Sequence, residues 1–228
     1  MPRPLRQSAG GTIYHVINRA NIRTRIFKKS ADFLAFEKVL AQGLARVDMR
    51  MCGYCIMGNH WHFLLWPRED GDLSEFMKWI TVTHTSRWHK AHGPDSTGHV
   101  YQGRFKSFPV QASEHYLKVL QYIESNPLRA NLVEDSNQWQ FSSLAIRNGE
   151  VKEGIKIYKG PVKLPKTWRK DVNKIPNETT QAEIQNCIIR GAPYGGKTWT
   201  KTIAQKLGIE STTNPRGRPR KLSVNTEK

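Results

Sequence analysis

The sequence predicts an α+β fold: a ferredoxin-like β-α-β-β-α-β domain with an antiparallel sheet, plus a basic C-terminal extension. Three observations predict it. Short apolar stretches with period-two alternation recur between stretches with helical spacing. Their order is strand, helix, strand, strand, helix, strand, with one more helix behind. The charge balance then shifts, from 19 Lys and Arg against 13 Asp and Glu in residues 1–150 to 17 against 6 in residues 151–228.

Each element has its own signal. In Gly11 to Arg19, GTIYHVINR, the side chains Ile13, His15 and Ile17 alternate with Tyr14, Val16 and Asn18, as in a strand. Ser30 or Asp32 can cap a helix reaching about Val47, with Phe33, Phe36, Leu40, Leu44 and Val47 as its apolar stripe. Met49 to Met57 reads as a second strand, Gly58-Asn59 as a turn, and His60 to Trp66 as a third strand ended by Pro67. The short gap makes these two an antiparallel hairpin. Asp72 opens a second helix that buries Leu73, Phe76, Met77 and Ile80. Gly93 to Gly103 is a loop, and Phe105 to Val110 a fourth strand, placed at an edge because Pro109 cannot donate to a ladder. Ser113 caps a third helix that ends before Asn126-Pro127, since the residue before proline disfavours helical angles.

Beyond residue 150 the texture changes. Residues 151–176 are rich in Lys and Pro and read as a linker; residues 177–210 read as a small helical region with helices over 181–190 and 197–207. Thr202 to Glu210 has the look of a helix-turn-helix opening, although a simple helical hairpin fits as well. Residues 211–228 hold few apolar side chains and are expected to be disordered when free.

The net charge of +17 works against compaction unless a polyanion is near. Nucleic acid fits that role. An anionic membrane surface fits less well, because no basic amphipathic helix stands out. No apolar stretch approaches the length that spans a bilayer, and no secretory h-region follows Met1. Three cysteines, Cys52, Cys55 and Cys187, do not form a disulfide framework. Cys52 and Cys55 lack a second pair at zinc-site spacing and read as core residues. The expectation is a soluble, reduced, intracellular protein.

Three signals carry chemistry. His60-Trp61-His62 lies on a strand, so both imidazoles share one face and can hold one metal ion from one side. A pair of satisfied structural histidines is the plainer alternative. Tyr122 lies about 110° from the middle of the stripe formed by Tyr116, Val119, Leu120 and Ile123, on the side of His115, Lys118 and Asn126. A phenol so placed can be a covalent nucleophile or an ordinary flanking tyrosine. Asn126, one helical turn later, can supply an amide oxygen as a third metal ligand, or cap the helix. The last signal is Pro215 to Lys221, PRGRPRK, whose RGRP core resembles an AT-hook. Its Arg216, Arg218 and Arg220 suit the narrow, negative minor groove of A·T-rich duplex; the alternative is a generic basic tail.

GTIYHVINR, MGNHWHFLL, YQGRFKS and YIESNPLRANLV, in that order, resemble the REP-associated tyrosine transposases, single-tyrosine members of the HUH endonuclease superfamily. The resemblance covers roughly residues 10–145. It implies that His60, His62 and Asn126 hold a divalent metal, Mg or Mn, and that Tyr122 is the catalytic nucleophile. Insertion-sequence relatives carry glutamine where this chain has Asn126. It also implies a nicking and rejoining enzyme for single-stranded or hairpin DNA, acting through a 5′-phosphotyrosine. Arg104, Lys106 and Lys118 are read as phosphate contacts. A bacterial, cytoplasmic, nucleoid-associated protein is expected, monomeric or homodimeric. The alternative function is a non-catalytic DNA-binding protein that relies on its basic tail.

Overall fold

The computed structural model describes residues 8–93 and 98–214. Four strands form one antiparallel sheet: β1 (Ile13–Arg19), β2 (Arg50–Met57), β3 (His60–Trp66) and β4 (Lys106–Val110). Their spatial order is β2-β3-β1-β4, the ferredoxin-like order that the sequence predicts. The β2–β3 hairpin turns at Gly58-Asn59, and β1 completes the pairing of β3 on its other side. Pro109 sits on β4, the strand at the sheet's edge, also as predicted.

Alternation along the strands sorts side chains to two faces, and helices cover both. Helices α1 (Ser30–Arg46) and α2 (Asp72–His92) lie on one side. Their Phe33, Phe36, Leu40, Phe76 and Ile80 join Val16, Tyr54, Trp61 and Phe63 of the sheet in a core of fully or nearly fully buried groups. Helix α3 (Glu114–Glu124) lies on the other side, with Tyr116, Val119, Leu120 and Ile123 against Ile13, Cys55, Leu64 and Phe108. The cysteines are free and buried, as core readings require. Burial on both faces explains why no strand reads as half polar.

Helix α3 comes close to the sheet because Gly53 has no side chain. A β-carbon there would lie 2.4 Å from Leu120 Cδ1, beside the register shift between Met51 and Gly53. The Ser113 hydroxyl caps α3. The helix stops one residue earlier than proline alone requires, at Glu124, and re-enters as the short α4 (Asn126–Arg129), where Pro127 occupies the first turn without loss.

The later chain folds onto this layer. Short helices α5 (Ser143–Arg147) and α6 (Trp168–Asp171) pack against β2 and α3. Glu124, fully buried at the end of α3, accepts hydrogen bonds from Ser143 Oγ (2.5 Å), Arg147 Nε (2.9 Å) and Trp168 Nε1 (2.7 Å). The stretch 151–176, read from composition as a linker, is therefore tied down: Tyr158 N donates to Met51 O at 2.8 Å, and Ile155, Trp168 and Val172 are buried. Lys and Pro content reports solubility and breaks in secondary structure; it does not reveal such anchors.

Helices α7 (Glu178–Arg190) and α8 (Lys197–Leu207) match the two expected in the extension. Asn177 caps α7, and Gly191 ends it in the left-handed region. The chain then covers the open edge of the sheet, where Tyr194 N donates to Pro109 O (2.9 Å) and Gln111 N to Tyr194 O (3.0 Å). Arg190 holds the carbonyls of Thr212 and Asn214, the start of the tail. Residues 215–228, including Arg216, Arg218 and Arg220, lie outside the described residues. No helix among the described residues is long and apolar enough to cross a membrane.

Candidate active site

His60 and His62 open β3, and Arg19 and Ile17 face them across the β1–β3 ladder. Both imidazoles point to the α3 side, with ring centroids 5.1 Å apart. Tyr122 comes down from α3, its ring 5.9 Å from that of His62 and edge-on to it. On the helical wheel Tyr122 lies beside the apolar stripe; folding buries it to 4% exposure, between the sheet and Arg129 of α4. Asn126 follows one turn later. All four line one cleft of about 1120 Å³.

The hydrogen bonds decide which nitrogens are available. Asn59 Nδ2 donates to Arg23 O (3.1 Å), so its Oδ1 faces His60 Nδ1 at 2.6 Å. An amide oxygen only accepts; His60 therefore carries its proton on Nδ1 and keeps a free lone pair on Nε2. His62 Nδ1 lies 2.8 Å from His15 Nε2. Two neutral rings can share this bond in either direction; with His62 donating, its Nε2 likewise keeps a free lone pair. His15 Nδ1 is then a buried N–H with no hydrogen-bond partner. A ligating imidazole fixed through its other nitrogen is the usual arrangement of metal-binding histidines.

Burial reinforces this. Desolvation, helped by the nearby Arg19 and Arg129 charges, pushes His60 down to about 4. Burial lowers His15 to about 3, and burial with the neighbouring imidazoles holds His62 well below its ordinary range. All three are neutral near pH 7, the form that coordinates metal. His60, His62 and Asn126 line one cleft and could offer a divalent metal two imidazole nitrogens and an amide oxygen, a mixed set that would suit Mn²⁺ better than the oxygen-loving Mg²⁺. Among the described residues no group of three or more His, Cys, Asp or Glu is placed to hold a metal ion, in this cleft or outside it, so a third ligand here would have to be the Asn126 amide.

Cations surround the pair. Arg19, Arg23, Arg104, Lys106 and Arg129 line the cleft, and no acidic side chain does among the described residues. Arg129 stacks on the nucleophile candidate, with its guanidinium carbon 3.9 Å from the Tyr122 ring centroid. It also donates from Nη2 to Tyr122 O (3.0 Å) and from Nη1 to Gln181 (3.4 Å) of α7, while its buried Nε has no partner.

Of the residues predicted from sequence, His60, His62, Tyr122, Asn126, Arg104 and Lys106 come together; Lys118 is exposed on α3 and does not line the cleft. Sequence reasoning missed His15, Asn59 and Arg129. A signal existed for His15, which alternates onto the same face as Ile13 and Ile17. Asn59 reads only as a turn residue. Arg129 lies seven residues after Tyr122, about two helical turns, but the break at Ser125 hides that relation.

Residues 8–126, just over half the chain, match the family described as "Transposase IS200 like". The solved structure of a REP-associated tyrosine transposase bound to a REP hairpin shares the fold, with a TM-score of 0.53 and 17% identity over 72% of this chain and 99% of that one. The crystal structure of a candidate transposase from Deinococcus radiodurans aligns with a TM-score of 0.36 and 19% identity, over 54% of this chain and 96% of that one. No curated protein matches the sequence.

Proposed function

The chain belongs to the IS200-like transposase family, and from that premise we propose that it is a metal-dependent enzyme that nicks and rejoins single-stranded DNA through Tyr122. One observation carries the reading: two imidazoles, with His60 Nε2 unprotonated, and one phenol meet in a single cationic cleft of one chain. His60, His62 and Asn126 would hold the metal, Mn²⁺ in preference to Mg²⁺. The ion would polarise the scissile phosphate.

The chain's own groups account for the rest. Arg104 and Lys106, with Arg19 and Arg129, hold the sugar–phosphate backbone by charge. The Tyr122 oxygen forms a bond to phosphorus as the P–O3′ bond breaks. The phenolic proton is lost, the departing oxygen is protonated to a 3′-hydroxyl, and the 5′ end stays attached as a phosphotyrosine. That ester keeps the bond energy, so a second 3′-hydroxyl can reverse the step on another strand. Lys118, outside the cleft, is a phosphate contact along the path of the substrate. The hairpin bound by the structurally similar transposase supports hairpin-forming DNA as the substrate. Arg216, Arg218 and Arg220 would add salt-sensitive affinity for A·T-rich minor grooves. The meeting of the imidazoles and the phenol within one chain supports cleavage by a monomer, with a homodimer as the alternative.

A labelled hairpin oligonucleotide with single-stranded flanks, incubated with Mn²⁺, tests this. The wild-type protein should yield a denaturant-resistant protein–DNA adduct, and Tyr122→Phe and His62→Ala none. Binding without cleavage over a broad set of hairpins would instead favour a non-catalytic DNA-binding protein.

A further inference from the structure

The family match ends at residue 126, but the cleft does not. One part of it is built by α7 from the extension, through Gln185, Ile188 and Ile189. Ile184 and Cys187 on the other side of that helix are buried in the core with Phe108 and Tyr194, so α7 is fixed in rotation. Gln181, one turn before Gln185, receives a hydrogen bond from Arg129, which in turn holds the Tyr122 carbonyl and stacks on its ring. Helix α7 is thereby held in register with the nucleophile candidate.

Its chemistry differs from that of the rest of the cleft. The cations come from the end of β1, the turn after it, the 102–106 segment and α4. Helix α7 offers the cleft only neutral groups: a carboxamide and two isoleucines, of which Ile189 remains 57% exposed despite its apolar side chain. A single strand presents two faces as well, an anionic backbone and apolar base planes with hydrogen-bonding edges. Cations match the first. A carboxamide beside isoleucines matches the second, because the amide can pair with a base edge while aliphatic carbon packs on the ring.

We infer that Gln185, Ile188 and Ile189 seat the nucleobase adjoining the cleaved phosphate, so that α7 sets which base is accepted there. The inference rests on the proposed nicking activity, and its test separates the two. A pool of hairpin oligonucleotides with randomised single-stranded flanks is incubated with Mn²⁺, and the adducts are sequenced. The wild-type protein should enrich one base, or one pair of related bases, at a single flank position next to the nick. Gln185→Ala and Ile189→Ser, both at exposed positions, should flatten that bias about five- to hundredfold, the range of one well-made base contact. Melting temperature and Mn²⁺ affinity should stay at the wild-type values, which excludes a general loss of structure. The same bias in wild-type and variant adducts would overturn the inference and leave the nicking activity standing. No adduct from the wild-type protein would overturn both.

Discussion

At the residue scale, the site depends on two hydrogen bonds that hold imidazoles rather than on the imidazoles alone. Asn59 bridges His60 Nδ1 and the Arg23 carbonyl, and the turn it braces holds Ile22 and Arg23 at positive φ (51° and 57°), rare for side-chain-bearing residues. Asn59→Ala should release the ring of His60 and lower Mn²⁺ affinity about 10- to 100-fold, measured by titration calorimetry, with little change in melting temperature. Unchanged affinity would show that Asn59 serves the turn alone. Arg129 makes a second test. Its planar guanidinium stacks on Tyr122 while donating in two other directions, a geometry that an ammonium cannot copy. Arg129→Lys should slow adduct formation at least about tenfold in single-turnover assays, although the charge is kept.

At the element scale, the order of strands and helices was legible because each carries its own period and stop signal. Pro67, Gly58-Asn59 and Asn126-Pro127 mark boundaries to within a residue or two of those observed. What could not be read was the company each element keeps. The His15–His62 contact joins residues 47 apart, and the Trp168–Glu124 bond joins residues 44 apart; neither leaves a local pattern. The covering of the second sheet face by α3 and the anchoring of 151–176 are of the same kind. So is the share of α7 in the cleft: its amphipathic spacing shows a buried side but not what the other side faces. The seating of α3 makes a prediction at this scale. Gly53→Ala would drive a methyl group into Leu120, itself fully buried, and should destabilise the protein by about 1–3 kcal/mol in a denaturant titration. It should also displace the helix that carries Tyr122. A neutral result would mean that α3 sits less tightly than its packing implies.

At the scale of the whole molecule, buried neutral histidines set the response to acid. His15 and His84 are held at about 3 by burial, against about 6.5 in an unfolded chain. Between those values the unfolded chain binds protons that the folded protein refuses. Stability must therefore fall as pH falls, by about 1.4 kcal/mol per pH unit for each such group. The melting temperature should hold above pH 7 and drop steadily from about pH 6.5 toward pH 4. A flat profile across that window would mean that these imidazoles meet water. His84 is no part of the cleft; it hydrogen-bonds to Tyr101, whose hydroxyl also takes the Trp61 N–H. Acid should thus loosen the support behind β3 as well as the site in front of it.

The proposed activity rests on one covalent bond, and peptide mapping reads it directly. The adduct formed with Mn²⁺ and a hairpin oligonucleotide is digested with trypsin and nuclease and analysed by mass spectrometry. A residual nucleotide joined through its 5′-phosphate to Tyr122 is the predicted result. A nucleotide on any other residue, or nicked DNA whose ends carry no peptide, would contradict it.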